Sequence, residues 1–427
     1  MAALSLGLLL ILAALGIYVA AILGILAIFL GETFSFIPLL PALGDITWSA
    51  STEFVLVAVP LFILMGEILL RTGIASDMFR ALDRWVNWLP GGLMHTNVAS
   101  SALFAATSGS SVATAATIGT VSIPNIEKRK YSPPLFLGSL AAGGTLGILI
   151  PPSINMIIYA VLTDTSVNDL YLAAIIPGFF LAAMFSLAIF FACVVKPKLS
   201  GTRESSTWDE RIKALKHLLP PILLFLVVVG SIYAGIATPT EAASLGVVAS
   251  LLFGFYRKRI NRTVLLMAFE GTMRTTAMVT LIVVIAFFLN FVLQSIGVTA
   301  FVSNFMEGLN INPTWAMIAI IVFYLVLGMF METLSLMIAT TPIVVPVILA
   351  LGFDQVWFGV LFMILIEAAL ITPPIGVNLF VVQAVRGNGP FRDVVYGSLP
   401  FLLMMIAMML LLLAFPQMAL WLPSVFN

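Results

Sequence analysis

Three hydroxyls and a glycine, Ser108-Gly109-Ser110-Ser111, stand inside a long apolar stretch, ATSGSSVATAATIGTVSIP at 106–124. The run GILIPPS follows at 147–153, where Pro151 and Pro152 remove two backbone donors and clash one turn back. The second half of the chain carries a similar pair, METLS at 331–335 and ITPPIG at 371–376. Hydroxyls beside interrupted helices have a definite chemical use. Freed peptide carbonyls and serine or threonine oxygens make a cage of hard ligands suited to a hard cation. Exposed helix N-termini next to them offer the positive end of a dipole to an anionic group. The plainer alternative is that Ser110 and Ser111 merely let two helices approach closely.

Other polar groups are sparse. No Lys or Arg falls at mid-depth of an apolar segment, so an anionic ligand would be held by helix ends, amides and the cation. Ser153, Asn155, Thr372 and Asn378, at or just after the interruptions, are the candidate substrate contacts. Four acids, Glu67, Glu241, Glu332 and Glu367, fall within apolar segments, where a carboxylate is a functional candidate by default. Glu332, beside the second hydroxyl-bearing tip, either contributes to cation coupling or stabilises the tip. Glu67 is placed to reach water or Arg71, and it is read with Glu241 and Glu367 as a hydrogen-bonded structural group.

Composition says where the elements that hold these residues must live. The chain has 427 residues, 61% hydrophobic and 9% charged, with a mean hydropathy of +1.16. Soluble domains carry about 25% charged residues, so this is an integral membrane protein. Its long apolar runs make it all-α rather than a barrel. With zero net charge and no basic patch it has no nucleic-acid footprint. The single cysteine, Cys193, excludes an internal disulfide framework. Met1–Leu30 carries no basic n-region and reads as a mature helix. No Gly-Lys dipeptide or HExxH occurs, so neither a P-loop nor a zinc site of that kind is present, and no organic cofactor is expected. GSSVA is one residue from a nucleophile elbow. The only histidines, His95 and His217, fall near one predicted membrane surface, so the chain is not read as an enzyme.

All 19 Lys and Arg gather in five segments, Arg71–Arg84, Lys128–Lys130, Lys196–Lys216, Arg257–Arg274 and Arg386–Arg392. The positive-inside rule puts these in the cytoplasm, with the loops between them outside. The path that satisfies every sign starts inside, with spans near 5–30 and 52–70. A re-entrant helical hairpin over 92–126 follows, with its tip at TSGSS. Spans near 131–163, 170–195, 217–237, 238–256 and 275–296 come next, then a second hairpin over 313–351 from the opposite face. Spans near 356–385 and 395–416 leave the C-terminus outside. Gly143, Gly144, Gly147 and the proline pair should break the span 131–163 midway, and ITPPIG should break 356–385. Pro346 follows Pro124 by 222 residues, and Pro373 follows Pro151 by the same 222. The chain is therefore read as two inverted repeats, 1–216 and 238–427, joined by a linking helix at 217–237. Broken helices in corresponding positions of two such halves mark the midplane site of a secondary transporter.

At these residues the chain resembles a known family. SGSSVATAATIGTVSIP, the basic turn before Tyr131, GILIPPS, METLSLMIATTPIVVPV (331–347) and TPPIGVNLFV (372–381) look like the large membrane subunit of tripartite ATP-independent periplasmic (TRAP) transporters. The likeness runs nearly from end to end. It implies an inverted-repeat, elevator-type transporter with two re-entrant hairpins and two broken helices, multi-pass in the bacterial inner membrane. It also implies sodium-driven import of a small polar solute such as a carboxylate. A soluble periplasmic binding protein would deliver that solute, and a small four-helix membrane subunit would brace the large one. Carried over by motif, one Na+ would lie between Ser108, Gly109, Ser110 and Ser111 and the segment holding Gly144, Gly147 and Ile150. The other would lie between Thr333 and Ser335 and the pair Thr372 and Gly376. The runner-up is a self-sufficient sodium-coupled dicarboxylate carrier or exchanger of the same architecture, and an uncoupled channel is a third class. The segment FIPLLPALGD (36–45) is either a docking surface for the binding protein or only a loop.

Overall fold

In the computed structural model, residues 7–8, 11–12, 15–202, 206–298, 301 and 312–426 are described. Those residues are almost wholly helical. The first third comprises α1 (Val19–Phe34), α2 (Leu43–Ser51), α3 (Ala58–Arg71), α4 (Ile74–Val86), α5 (Leu93–Ser108) and α6 (Ser111–Ser122). The middle holds α7 (Pro133–Leu149), α8 (Ile154–Thr163), α9 (Val167–Val195), α10 (Trp208–Tyr233), α11 (Pro239–Tyr256) and α12 (Arg262–Ser295). The last third holds α13 (Pro313–Gly328), α14 (Thr333–Ala350), α15 (Gln355–Leu370), α16 (Val377–Arg386), α17 (Arg392–Ala414) and α18 (Gln417–Phe426). Among the described residues, six helices are long and apolar enough to cross a membrane, and α7 with α8 forms a further pair bent by 42°.

Several boundaries depart from the sequence reading, each for a local reason. A turn at Leu15–Gly16, with Gly16 at φ +70°, interrupts the expected span 5–30, and the helix proper starts at Val19; residues 5–6, 9–10 and 13–14 of that span lie outside the described set. The helix expected at 217–237 begins at Trp208, because Thr207 and Glu210 close a capping box. The span expected at 275–296 starts at Arg262, where Asn261 accepts from Val264 N–H at 2.8 Å. Arg262, Glu270 and Arg274 mislead a hydropathy reading there, yet they sit on exposed turns of one continuous helix. FIPLLPALGD is not extended throughout: a 3-10 turn at Leu40–Ala42 leads into α2, and Leu39 is buried.

The five basic segments meet at one end of the molecule. Asp77 on α4 binds Arg80 (2.6 Å), Arg259 (3.1 Å) and Arg257, while Asp83 binds Arg129 at 3.0 Å. Arg84 reaches Glu210 on α10 at 3.4 Å, and Arg386 shares a groove with Glu127. Loops without Lys or Arg meet elsewhere: Gln355 donates to the Thr163 carbonyl, and Thr240 donates to the Phe54 carbonyl at 3.3 Å. Burial would push the Asp77 carboxyl up, but the Arg80 hydrogen bond and the Arg259 and Arg257 charges hold it below the usual carboxylate range. Because its folded value is lowered, its contribution to stability is present above the unfolded value of about 4 and is lost as pH falls through the folded one. Asp77→Asn should cost about 2–3 kcal/mol at neutral pH, toward the low end for a buried pair because Arg80 and Arg259 remain wetted. A thermal melt of the detergent-purified protein checks this: the wild type should lose Tm on acidification below about pH 4, and the variant should lose much less.

Packing pairs recur with the 222-residue spacing. α6 and α14 begin at Ser111 and Thr333, and α7 and α15 begin at Pro133 and Gln355. α1 packs on α12 while α11 packs on α3; α16 covers α6 while α8 covers α14. The tightest crossing joins α7 to α17. A Cβ on Gly138 would run into the Gly397 carbonyl, and one on Gly397 into the Pro134 carbonyl.

Candidate functional site

The two hydroxyl-bearing tips converge on one cavity of about 220 Å3. Its wall includes Ser108–Ala113 from the first tip, Glu332–Leu334 from the second, Asn155 from the start of α8 and Glu67 from α3. Thr275, Met278 and Val279 of α12 close the remaining side.

The first tip is built from local necessity. α5 ends at Gly109, whose φ of +60° suits a residue without a Cβ, and its N–H caps back onto the Ala105 carbonyl at 3.0 Å. Ser110 starts α6 as its N-cap, accepting from Ala113 N–H at 3.4 Å. The Thr114 hydroxyl donates to the Ser110 carbonyl at 2.7 Å and lies 2.9 Å from Ser108 Oγ. Thr114 has only one hydroxyl proton, and the Ser110 carbonyl takes it. Ser108 must therefore donate to Thr114, which leaves its own lone pairs free to accept or to ligate.

Glycines clamp this tip in place. A Cβ on Gly66 of α3 would sit 3.2 Å from the Ser108 backbone, and one on Gly109 would sit 3.2 Å from the Pro152 carbonyl. A Cβ on Gly147 would meet the Ser110 carbonyl and the Ser111 nitrogen at 3.0–3.1 Å, and one on Gly144 would press on Ala115. Gly143, Gly144 and Gly147 therefore do not break the helix, as their sequence had suggested. All three lie within α7, and its glycine face brings the tip against the interruption. The break itself runs from Ile150 to Ser153, both extended, and its Pro151–Pro152 peptide is cis. Ser153 is fully buried with its hydroxyl unpartnered, and its carbonyl accepts from Tyr171 OH at 3.3 Å.

At the second tip Glu332 is the N-cap of α14. Its carboxylate accepts from Ser335 N–H (3.1 Å), Ser335 Oγ (3.0 Å) and Thr333 Oγ1 (3.0 Å). The acid sits at the positive end of the helix dipole, and it takes the protons of two hydroxyls whose lone pairs are thereby freed. Ser335 is buried and, unlike Thr333, does not line the cavity. The second interruption, Ile371–Gly376, holds another cis Pro–Pro peptide, and Thr372 donates to the Ala368 carbonyl at 2.6 Å. Gly376 adopts φ +42° at the start of α16. Thr372, Gly376 and Asn378 do not line the cavity. Asn378 turns toward α7, donating to the Ala141 carbonyl at 3.2 Å. Glu241 closes a capping box with Thr238 at the head of α11, and Glu67 pairs with Arg71 at 2.8 Å on the cavity rim.

Sequence reasoning missed Gly66, Thr275 and Met278 as wall residues. A small residue in the run MGE was the one signal for Gly66, while nothing local marked the α12 face. The cavity carries two carboxylates, several free oxygen lone pairs and, among its lining residues, no Lys or Arg. Such a lining suits a small hard cation together with a compact polar solute.

The chain is 32% identical over 395 residues to the C4-dicarboxylate TRAP transporter large permease protein DctM of Vibrio cholerae, covering 87% of this chain and 86% of that one. It is 32% identical over 378 residues to the sialic acid TRAP transporter large permease protein SiaM of the same organism, with 88% and 87% covered. In fold it is similar to the crystal structure of the Alcanivorax borkumensis YdaH transporter (TM-score 0.64, 15% identity, 97% and 98% covered). Residues 6–418 match the family described as Tripartite ATP-independent periplasmic transporter, DctM component. The chain belongs to that family of transporter large permeases.

Proposed function

We propose that this chain is the membrane carrier of a sodium-coupled importer for a small organic acid or related polar solute, which a periplasmic binding protein hands to it. The observation that carries the reading is the convergence of both hydroxyl tips on one cavity, with the Ser108, Thr333 and Ser335 protons already committed. Na+ would lie between Ser108–Ser111 and the Gly144–Ile150 segment, and between Thr333–Ser335 and Thr372–Gly376. The solute would sit between the tips beside Asn155. Its carboxylate would face tip amides and Na+ rather than an arginine.

The recurring helix starts and the reciprocal pairs α1–α12 with α11–α3, and α6–α16 with α14–α8, are what two repeats related by a pseudo-twofold axis would produce. We read the hairpins and broken helices as a transport unit that slides as an elevator along a scaffold containing α1, α3, α11 and α12. A small four-helix subunit would brace that scaffold. The end bearing the five basic segments would face the cytoplasm, with the N-terminus inside and the C-terminus in the periplasm.

Reconstitution tests the reading. With the small subunit and binding protein present, an inward sodium gradient should drive uptake of a radiolabelled C4-dicarboxylate or sialic acid at least tenfold above a potassium control. Uptake that ignores sodium would overturn the coupling. Equal uptake without any binding protein would favour the self-sufficient carrier.

A further inference from the structure

At the basic end of the molecule a cavity of about 360 Å3 lies between α4 and the first turns of α10. Arg80, Arg84, Lys213, Lys216 and His217 line it, together with two acids, Asp77 and Glu210. Both acids are already engaged. Asp77 is shared by Arg80, Arg257 and Arg259. Glu210 accepts from the Thr207 N–H at 3.1 Å and from Arg84 at 3.4 Å. Asp209 takes Lys213 at 2.6 Å, and Lys216 enters no ion pair among the described residues. Six cations therefore share three carboxylates in and around one cavity. His217 adds a buried Nδ1 without a hydrogen-bond partner. Guanidinium and ammonium donors left in surplus around a partly enclosed space are the chemistry that holds a phosphate.

Lys216 also belongs to a second surface. Ile212, Lys216, Leu219, Leu223 and Val227 recur at intervals of three and four along α10, and all are exposed. Beyond Lys216 that stripe is wholly apolar. From Lys216 to Val227 the helix rises about 16 Å, close to half of a ~30 Å hydrocarbon core. Trp208, exposed at the head of α10 with Arg211 stacked 5.1 Å from its ring centre, is an aromatic anchor of the kind found at headgroup level. A free anion would use the cavity and leave the stripe idle. One molecule with a phosphate and two hydrocarbon chains uses both, and basic pockets at helix ends take such headgroups.

We propose that this cavity binds an anionic phospholipid, with its phosphate held by Arg84, Lys216 and His217 and its acyl chains laid along Leu219, Leu223 and Val227. The site is separate from the solute cavity and does not depend on what the solute is.

Native mass spectrometry and thermal melts of the delipidated, detergent-purified full chain test it. Dioleoylphosphatidylglycerol should remain bound and raise Tm, whereas dioleoylphosphatidylcholine should do neither. Lys216→Gln should weaken phosphatidylglycerol binding about fivefold, the weight of one cation at an anionic surface, and Arg84→Gln with Lys216→Gln about 25-fold. Lys198→Gln, an exposed lysine outside the cavity, should leave binding unchanged. Equal binding of the two lipids would mean that the stripe meets lipid without selecting it, or serves a protein partner, and would overturn the proposal. So would the same stabilisation from millimolar glycerol 3-phosphate, which would make the cavity a site for a soluble phosphate. Wild-type phosphatidylglycerol affinity in Lys216→Gln would overturn it as well. Should the double variant not purify, Lys216→Gln, changed at an exposed side chain, decides alone.

Discussion

Gly147→Val is expected to abolish sodium-driven uptake, by a factor of 100 or more, while the protein still inserts and purifies. Even a Cβ at this position meets the Ser110 carbonyl and Ser111 nitrogen at 3.0–3.1 Å, and valine adds two methyls against the same backbone. The tip cannot yield by rotating a side chain, because the opposing atoms are main chain. It must move off the break by a few tenths of an ångström or more, and a cation cage does not tolerate loose ligands. Ser111→Ala is the milder companion: it removes one oxygen without moving the tip and should raise the sodium half-saturation severalfold. The check is sodium-induced thermal stabilisation measured beside uptake. An unchanged sodium shift in Gly147→Val would mean that the Ser108–Ser111 tip does not hold the cation.

Gly138→Ala should be the most destabilising single change. The added methyl overlaps the Gly397 carbonyl, and α7 and α17 would have to separate along their whole crossing. Overpacking costs about 1–3 kcal/mol where side chains can shift; here only helices can, so roughly 3 kcal/mol or more is expected. Gly397→Ala, set against the Pro134 carbonyl, should behave the same way. Expression level and detergent-resistant fold, read by size-exclusion chromatography, report it. Gly230→Ala, with no atom within 4 Å of the added methyl, is the matched control and should be neutral.

Much of the site was legible because its signals are local. Hydroxyls with a glycine inside an apolar run, and a proline pair inside an apolar span, each state their own backbone consequence. The turn at Gly109 and the breaks at 150–153 and 371–376 fall accordingly. What failed was lateral. Gly143, Gly144 and Gly147 read as helix breakers on propensity, which is worth about 1 kcal/mol each. Their partners Ser101, Ala115 and Ser110 lie on another element, and close approach decides their role. Glu332 carried two readings, and its hydrogen bonds to Ser335 and Thr333 are visible only in three dimensions. The acid pair of α4, Asp77 and Asp83, passed unnoticed because counting Lys and Arg settles sidedness without asking what those cations bind.

The exchange of covers between halves bears on how the chain is made. α6 is sealed by α16, which leaves the ribosome roughly 250 residues later. At about 5–20 residues per second the first hairpin waits on the order of ten seconds to a minute with its small hydroxyl face unsealed. During that interval lipid, the translocation machinery or a chaperone must shelter it. Slowing translation between Ser122 and Val377 should therefore harm yield more than slowing it before Ser111.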